Sequence, residues 1–150
     1  MKKFHFTLQK LKDYQEQELD RQKNALSLLQ ADLRRIEEAR EVLVGKVAEQ
    51  GEQLDRVYKL GSTASEIAMR KRYIVTLQQE IHLKEQQAIQ KQAEIEEQLS
   101  VVVEATKEVK KLEKLEEKQL EEYNLAAGKE NERFIEEFVN TQSTRAANVS

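Results

Sequence analysis

The chain has two histidines, His5 and His82, and no cysteine. Imidazole is the side chain whose ordinary titration falls near neutral pH. General acid–base catalysis or metal ligation would therefore start from these two residues and a neighbouring carboxylate. Acidic residues are abundant, 28 against 25 basic ones, but they alternate with lysine and arginine instead of gathering. No glycine-rich phosphate loop, no serine elbow and no metal-spaced group of His, Asp and Glu is present. Without thiols there are no disulfides and no thiolate metal sites. The expectation is a protein that is not an enzyme and uses no cofactor or metal. The formal net charge of -3 gives no electrostatic reason for nucleic-acid binding. The short lysine run at the N-terminus also lacks the arginine-rich helix of a basic zipper.

The remaining chemistry is adhesion to other proteins. Phe4, Phe6, Leu8 and Leu11 stand near the start, among Lys2, Lys3, Lys10 and Lys12. Phe4, Leu8 and Leu11 share one face of a helix. Phe134, Ile135, Phe138 and Val139 stand near the end. Two readings apply to the N-terminal group: a frayed helix start with solvated lysines, or a docking end for an acidic or apolar surface.

The elements that position these residues are helical. Hydrophobic residues make up 39% of the chain and aromatics 5%, against 35% charged, with no proline. That is too little apolar volume for a compact core, and nothing forbids helices of many turns. Leu26, Leu33, Val47 and Leu54 recur at one seam position, and Leu29, Ile36, Leu43 and Val57 at the other. Spacings that alternate between four and three are the coiled-coil signature. Arg40 and Gln50 interrupt the seam and are expected to snorkel. Leu8 and Leu11 are read as out of phase, which predicts a stutter near residues 15–19. After the turn, Ile67, Ile74, Ile81, Ala88, Ile95, Val102 and Val109 recur every seventh residue. The companion position is apolar at Leu77 and Leu112 but polar at Lys84, Lys91 and Gln98.

Between the two patterns lies Gly61, followed by Ser62 and Thr63. Gly61 can take the left-handed conformation that ends a helix. Thr63 with Glu66 forms a capping-box pattern that starts the next one. The fold class expected is all-α, two long helices forming an antiparallel coiled-coil hairpin. One domain, 1–150, is expected: helix over about 4–59, turn over about 60–62, helix over about 63–140, and a disordered tail over about 141–150. Residue n should then face roughly residue 122 minus n, so that Leu26 meets Ile95 and Leu8 meets Leu115. Beyond Leu120 the second arm has nothing opposite it, and Gly128 weakens it there. This end is read either as a frayed tail or as an apolar surface that another protein covers. No apolar run approaches the roughly 20 residues of a membrane span. The opening MKKFHFTLQKLKD lacks a signal-peptide core. A cytoplasmic protein without direct membrane insertion is expected.

Four stretches also carry a resemblance. The opening KKFHFTLQKLKDY, the turn GSTASEIAMRKRYIVTLQQEI, the late run KEVKKLEKLEEKQLEEY and the ending IEEFV resemble the FliJ family of the bacterial flagellar type III export apparatus. The resemblance covers about residues 3–139. It implies a coiled-coil stalk and chaperone-like accessory protein that binds the hexameric export ATPase, contacts the cytoplasmic domain of the export gate and works with export chaperones. It implies a cytoplasmic protein held peripherally at the inner membrane, at the flagellar base. It places the gate-binding face near the bend, at Tyr58, Tyr73, Leu77 and Ile81. The other end, with Phe4, Phe6, Leu8, Leu11, Phe134 and Phe138, is then expected to enter the ATPase ring. Alternatives are the stalk protein of a virulence type III secretion system, an escort chaperone that only carries cargo, and a structural parallel coiled-coil dimer.

Overall fold

The computed structural model describes residues 2–149. Two helices make up the described chain, α1 (Gln9–Leu60) and α2 (Ala64–Val149), and they pack against each other as an all-α hairpin. Burial follows the period of seven. In α2 the column from Ile67 through Val109 continues to Glu116 and Tyr123, and every member is half-buried or buried. The companion column, from Arg70 through Leu77, Lys84, Lys91, Gln98, Ala105 and Leu112 to Gln119, behaves in the same way. Side chains seven apart return to nearly the same face of a helix, so two such columns make one continuous seam.

Contacts divide the described residues into a hairpin unit, Arg21–Val103, and a terminal unit made of residues 2–20 and 104–149. In the hairpin unit, Leu43, Leu77, Ile95 and Val102 are buried. The polar seam residues find partners across the helix pair. Gln98 donates from Nε2 to the Gln22 carbonyl oxygen at 3.0 Å and to Gln22 Oε1 at 2.8 Å. Arg40 donates from Nε to Glu85 at 3.1 Å and from Nη1 to Glu41 at 3.1 Å. Lys91 lies 2.8 Å from Glu94 and 4.0 Å from Asp32. The hydrogen bond to Glu94, first, then the charges of Glu94 and Asp32 hold its ammonium above the ordinary lysine value. Each facing pair lies within three residues of the antiparallel register read from the sequence. These groups keep their stems in the seam and their polar ends on a partner, which avoids the cost of burying an unpaired charge.

The turn is built from Gly61 to Thr63. Gly61 has φ of 82°, the only positive value among the described residues. A Cβ there would meet no atom within 4 Å, so the demand for glycine is conformational and not steric. The Glu66 amide donates to the Thr63 hydroxyl at 3.2 Å, as a capping box requires. The reciprocal half differs from expectation. The Glu66 carboxylate accepts from the Ser62 hydroxyl, and its other oxygen lies 3.5 Å from Arg70.

The terminal unit departs from the sequence reading in four ways. First, α1 starts at Gln9, not near residue 4, and residues 2–6 carry no regular structure. Second, no stutter occurs at residues 15–19. Lys12, Gln15, Leu19 and Gln22 keep the period of seven, and all are half-buried or buried. Leu8 in fact stands three heptads before Leu29, so the phase was never broken. A charged pair replaces an apolar layer here: Lys12 donates from Nζ to Glu116 at 2.7 Å. Helical side chains lean toward their own N-terminus, so in an antiparallel pair these two lean toward each other. The hydrogen bond to Glu116, more than any charge nearby, raises the Lys12 pKa. Third, cover on α2 extends past Leu120, since Tyr123 and Ala127 are half-buried. Fourth, α2 runs through Gly128 and on through the stretch expected to be a disordered tail, reaching Val149. No proline interrupts that stretch, and the Thr141 and Thr144 hydroxyls donate to the carbonyls of Glu137 and Asn140 at 2.8 and 2.9 Å. Met1 and Ser150, the outer limits of the expected domain and tail, lie outside the described residues.

Since only its backbone conformation requires glycine at position 61, Gly61→Ala is expected to lower stability by about 1–2 kcal/mol. Gly61→Asn should lower it by less, because asparagine tolerates the left-handed region. Urea denaturation followed by helical circular dichroism checks both values.

Candidate partner-docking surfaces

Near the turn, the structure separates the four expected contact residues into two pairs. Leu77 is 2% exposed and Ile81 is half-buried, and both belong to the seam columns. Their side chains hold α2 against α1 and offer little to a partner. Tyr58 and Tyr73 are 51% and 44% exposed. The two tyrosines do not meet. Lys71 Nζ sits 5.6 Å from the centre of the Tyr58 ring, a cation over an aromatic face. Tyr73 lines a shallow hollow of about 360 Å³ with Gln50, Glu66, Met69 and Arg70. Lys71 and Tyr73 are two residues apart in one helix, hence about 200° apart around it. The tyrosines therefore flank the seam on opposite sides.

The hollow beside Tyr73 is lined by polar and apolar side chains together. Arg70 donates to Gln53 across the helix pair at 3.0 Å. The Glu66 carboxyl is held below its ordinary pKa by the Ser62 hydroxyl first and by the Arg70 guanidinium second. Met69 adds an exposed thioether one turn before Tyr73. Sequence reasoning did not select Met69. The signal available was its place four residues before Tyr73, on one helical face.

In the terminal unit, the six expected residues also divide. Phe6 is 3% exposed, part of the unit's own core. Phe4 is half-buried, its ring 5.6 Å from that of Tyr123 at a tilt of 57°. The Tyr123 hydroxyl donates to the Lys2 carbonyl oxygen. Leu8 and Leu11 lie at the surface. Phe134 and Phe138 are 68% and 57% exposed. Residues 128–148 of α2 are exposed throughout, and within them Phe134, Ile135, Phe138 and Val139 form an uncovered apolar stripe. The unit thus joins a closed aromatic corner at Phe4, Phe6 and Tyr123 to a bare aromatic stripe. Tyr123, which closes that corner, was not among the expected contact residues. Its signal was its position eight heptads after Ile67.

Neither surface carries catalytic or metal-binding geometry. Among the described residues, no group of three or more His, Asp and Glu side chains could hold a metal ion. His5 and His82 fall in different units. No described helix is long and apolar enough to cross a membrane.

Comparison with known proteins gives one family. The model of that family, described as flagellar FliJ protein, matches residues 4–148. Searches of curated proteins and of solved structures give no significant match.

The lowered pKa of Glu66 has a definite sign. A carboxylate depressed in the folded state contributes stability that is complete above its ordinary pKa, about 4.3. That contribution is lost as pH falls through the depressed folded value. Between about pH 5 and pH 3 the native chain is expected to lose more stability than Glu66→Gln does, with urea midpoints at each pH as the measurement.

Proposed function

We propose, for a chain that belongs to the flagellar FliJ family, that this protein of the flagellar export apparatus docks its terminal unit in the export ATPase ring and its turn against the export gate. The observation that carries the reading is the stripe of Phe134, Ile135, Phe138 and Val139. Most helical stability in proteins comes from packing an apolar face against a partner, and this part of α2 has none in the chain itself. Exposed aromatic side chains clustered on one face are the usual anchors of a protein interface. The ring is the partner that family membership suggests for that stripe.

At the turn, Tyr58 and Tyr73 are the proposed contact residues. Leu77 and Ile81 act there by keeping the two flanks in place, not by touching the gate. The protein works without catalytic groups of its own: it promotes assembly of the ATPase and links it to the gate. Its place is the cytoplasmic side of the inner membrane, at the flagellar base, held by partners and not by insertion. Export chaperones are further proposed partners at surfaces other than these two.

The test is Phe134→Ala combined with Phe138→Ala. The double variant should keep its helicity and melting behaviour, because neither side chain packs inside the chain. Its stimulation of export-ATPase hydrolysis should fall at least tenfold, since removing an aromatic anchor at an interface hot spot costs about 2 kcal/mol or more. Stimulation equal to that of the native chain would contradict this polarity. Cargo-chaperone binding with no effect on hydrolysis would favour an escort protein.

A further inference from the structure

The apolar stripe of α2 does not begin where the bare surface begins. Tyr123, Ala127, Phe134 and Phe138 fall within an arc of about 60° on one helical face, at 100° per residue. The first turn of that face is occupied and the rest is bare. What occupies it is the chain's own N-terminus. Residues 2–6 have no regular structure, yet they are tied down at three points. Phe6 is buried, the Phe4 ring packs on the Tyr123 ring, and the Tyr123 hydroxyl holds the Lys2 carbonyl. Phe4 thus faces Tyr123 of α2, and Phe6, two residues on, is buried within the terminal unit.

The fastening is of a kind that opens. A segment without helix or strand has few backbone hydrogen bonds of its own. Here the Gln9 amide donates to the Phe6 carbonyl at 3.1 Å and the Lys12 amide to the Leu8 carbonyl at 2.9 Å. The seam beneath it is polar: Lys12, Gln15, Glu116 and Gln119 stand where apolar layers would give firmer packing. Local opening is drawn from regions of this sort.

From this we infer that residues 2–8 are a releasable clasp over the docking stripe. Closed, it hides Phe6, half-hides Phe4 and ends the stripe at Ala127. Open, it frees Phe4, Phe6 and Tyr123 and bares one further turn of the same helical face, with the Tyr123 ring on it. A partner that binds the longer stripe shifts the chain toward the open form by its differential affinity. The inference rests on the proposal that the stripe docks in the ATPase ring, and it adds that the free chain is held back from docking by its own N-terminus.

Two measurements test it. Tyr123→Phe deletes only the hydroxyl that holds Lys2. Hydrogen exchange at the Gln9 and Lys12 amides should then quicken on the order of fivefold, the usual worth of one net hydrogen bond. Exchange in the hairpin unit should stay as it was. Unchanged exchange at Gln9 and Lys12 would overturn the clasp, and this measurement needs no partner. For the second, Thr7 and Glu122 line one hollow of about 740 Å³ beside Tyr123. With no native cysteine in the chain, Thr7→Cys plus Glu122→Cys can be joined by a reducible cross-linker. The bridged chain should lose most of its stimulation of the ATPase and regain it on reduction. A bridged chain as active as the reduced one would overturn the gating role. Failure of the reduced double variant and the native chain alike to stimulate the ATPase would count against ring docking, while the exchange result still decides the clasp.

Discussion

Two helices can bury one another's side chains over many turns only if both keep the same period. That constraint governs this chain. The helix itself repeats every 3.6 residues, and a seam that repeats every 3.5 stays facing its partner only with slight supercoiling. Columns of α2 that hold to seven from Ile67 to Tyr123 satisfy the condition whatever side chains fill them. Apolar residues fill most of the layers in the hairpin unit. In the terminal unit some of the same positions carry Lys12, Gln15, Glu116 and Gln119 beside the buried Leu19 and Val109, so geometry is kept while part of the apolar burial is given up. Lys12 and Glu116 pair with each other, so that layer sets register at little gain in stability.

This division of labour bears on function. The helix pair offers open hollows such as those beside Tyr73 and Tyr123, so specificity has to come from what stands on its surface. At the turn, the residues that could bind are separated from the residues that hold the helices together: Tyr58 and Tyr73 outside, Leu77 and Ile81 in the seam. In the terminal unit the two roles overlap. Phe4 and Phe6 have the chemistry of contact residues, yet the structure uses them to secure the N-terminus against α2. A weak seam with aromatic residues on loan to it is suited to exchanging one partner for another.

Much of this was legible in the residues themselves. The seam columns, the stop at Gly61, the Thr63 cap and the antiparallel register all rest on local rules of spacing and backbone conformation, and the structure keeps them. The differences lie where a residue type hides its role. Leu8 and Leu11 suggest a break in the phase of α1, but Lys12 and Gln15 carry that phase. A lysine with a buried stem is a seam residue by packing, although no hydropathy pattern marks it. The four-residue spacing of Phe4 and Leu8 suggests a helix there, whereas residues 2–6 carry no regular structure and a turn precedes Gln9. The small polar residues from Thr141 suggest a tail, but they carry no signal that ends a helix, and α2 continues through them. The pairing of Phe4 with Tyr123 joins residues more than a hundred positions apart, which spacing along the chain does not encode.

The direct test of the hairpin is a distance. Gln30 and Gln92 are exposed residues that the antiparallel register places side by side on α1 and α2. With no native cysteine, nitroxide labels at Gln30→Cys and Gln92→Cys are unique, and dilution with unlabelled chain restricts the signal to one molecule. Helices in contact lie about 8–10 Å apart, so pulsed electron spin resonance should give a narrow distribution at about 1–2 nm. A distance near 9 nm, the length of the same 62 steps along one unbroken helix at roughly 1.5 Å each, would contradict the hairpin and everything placed upon it.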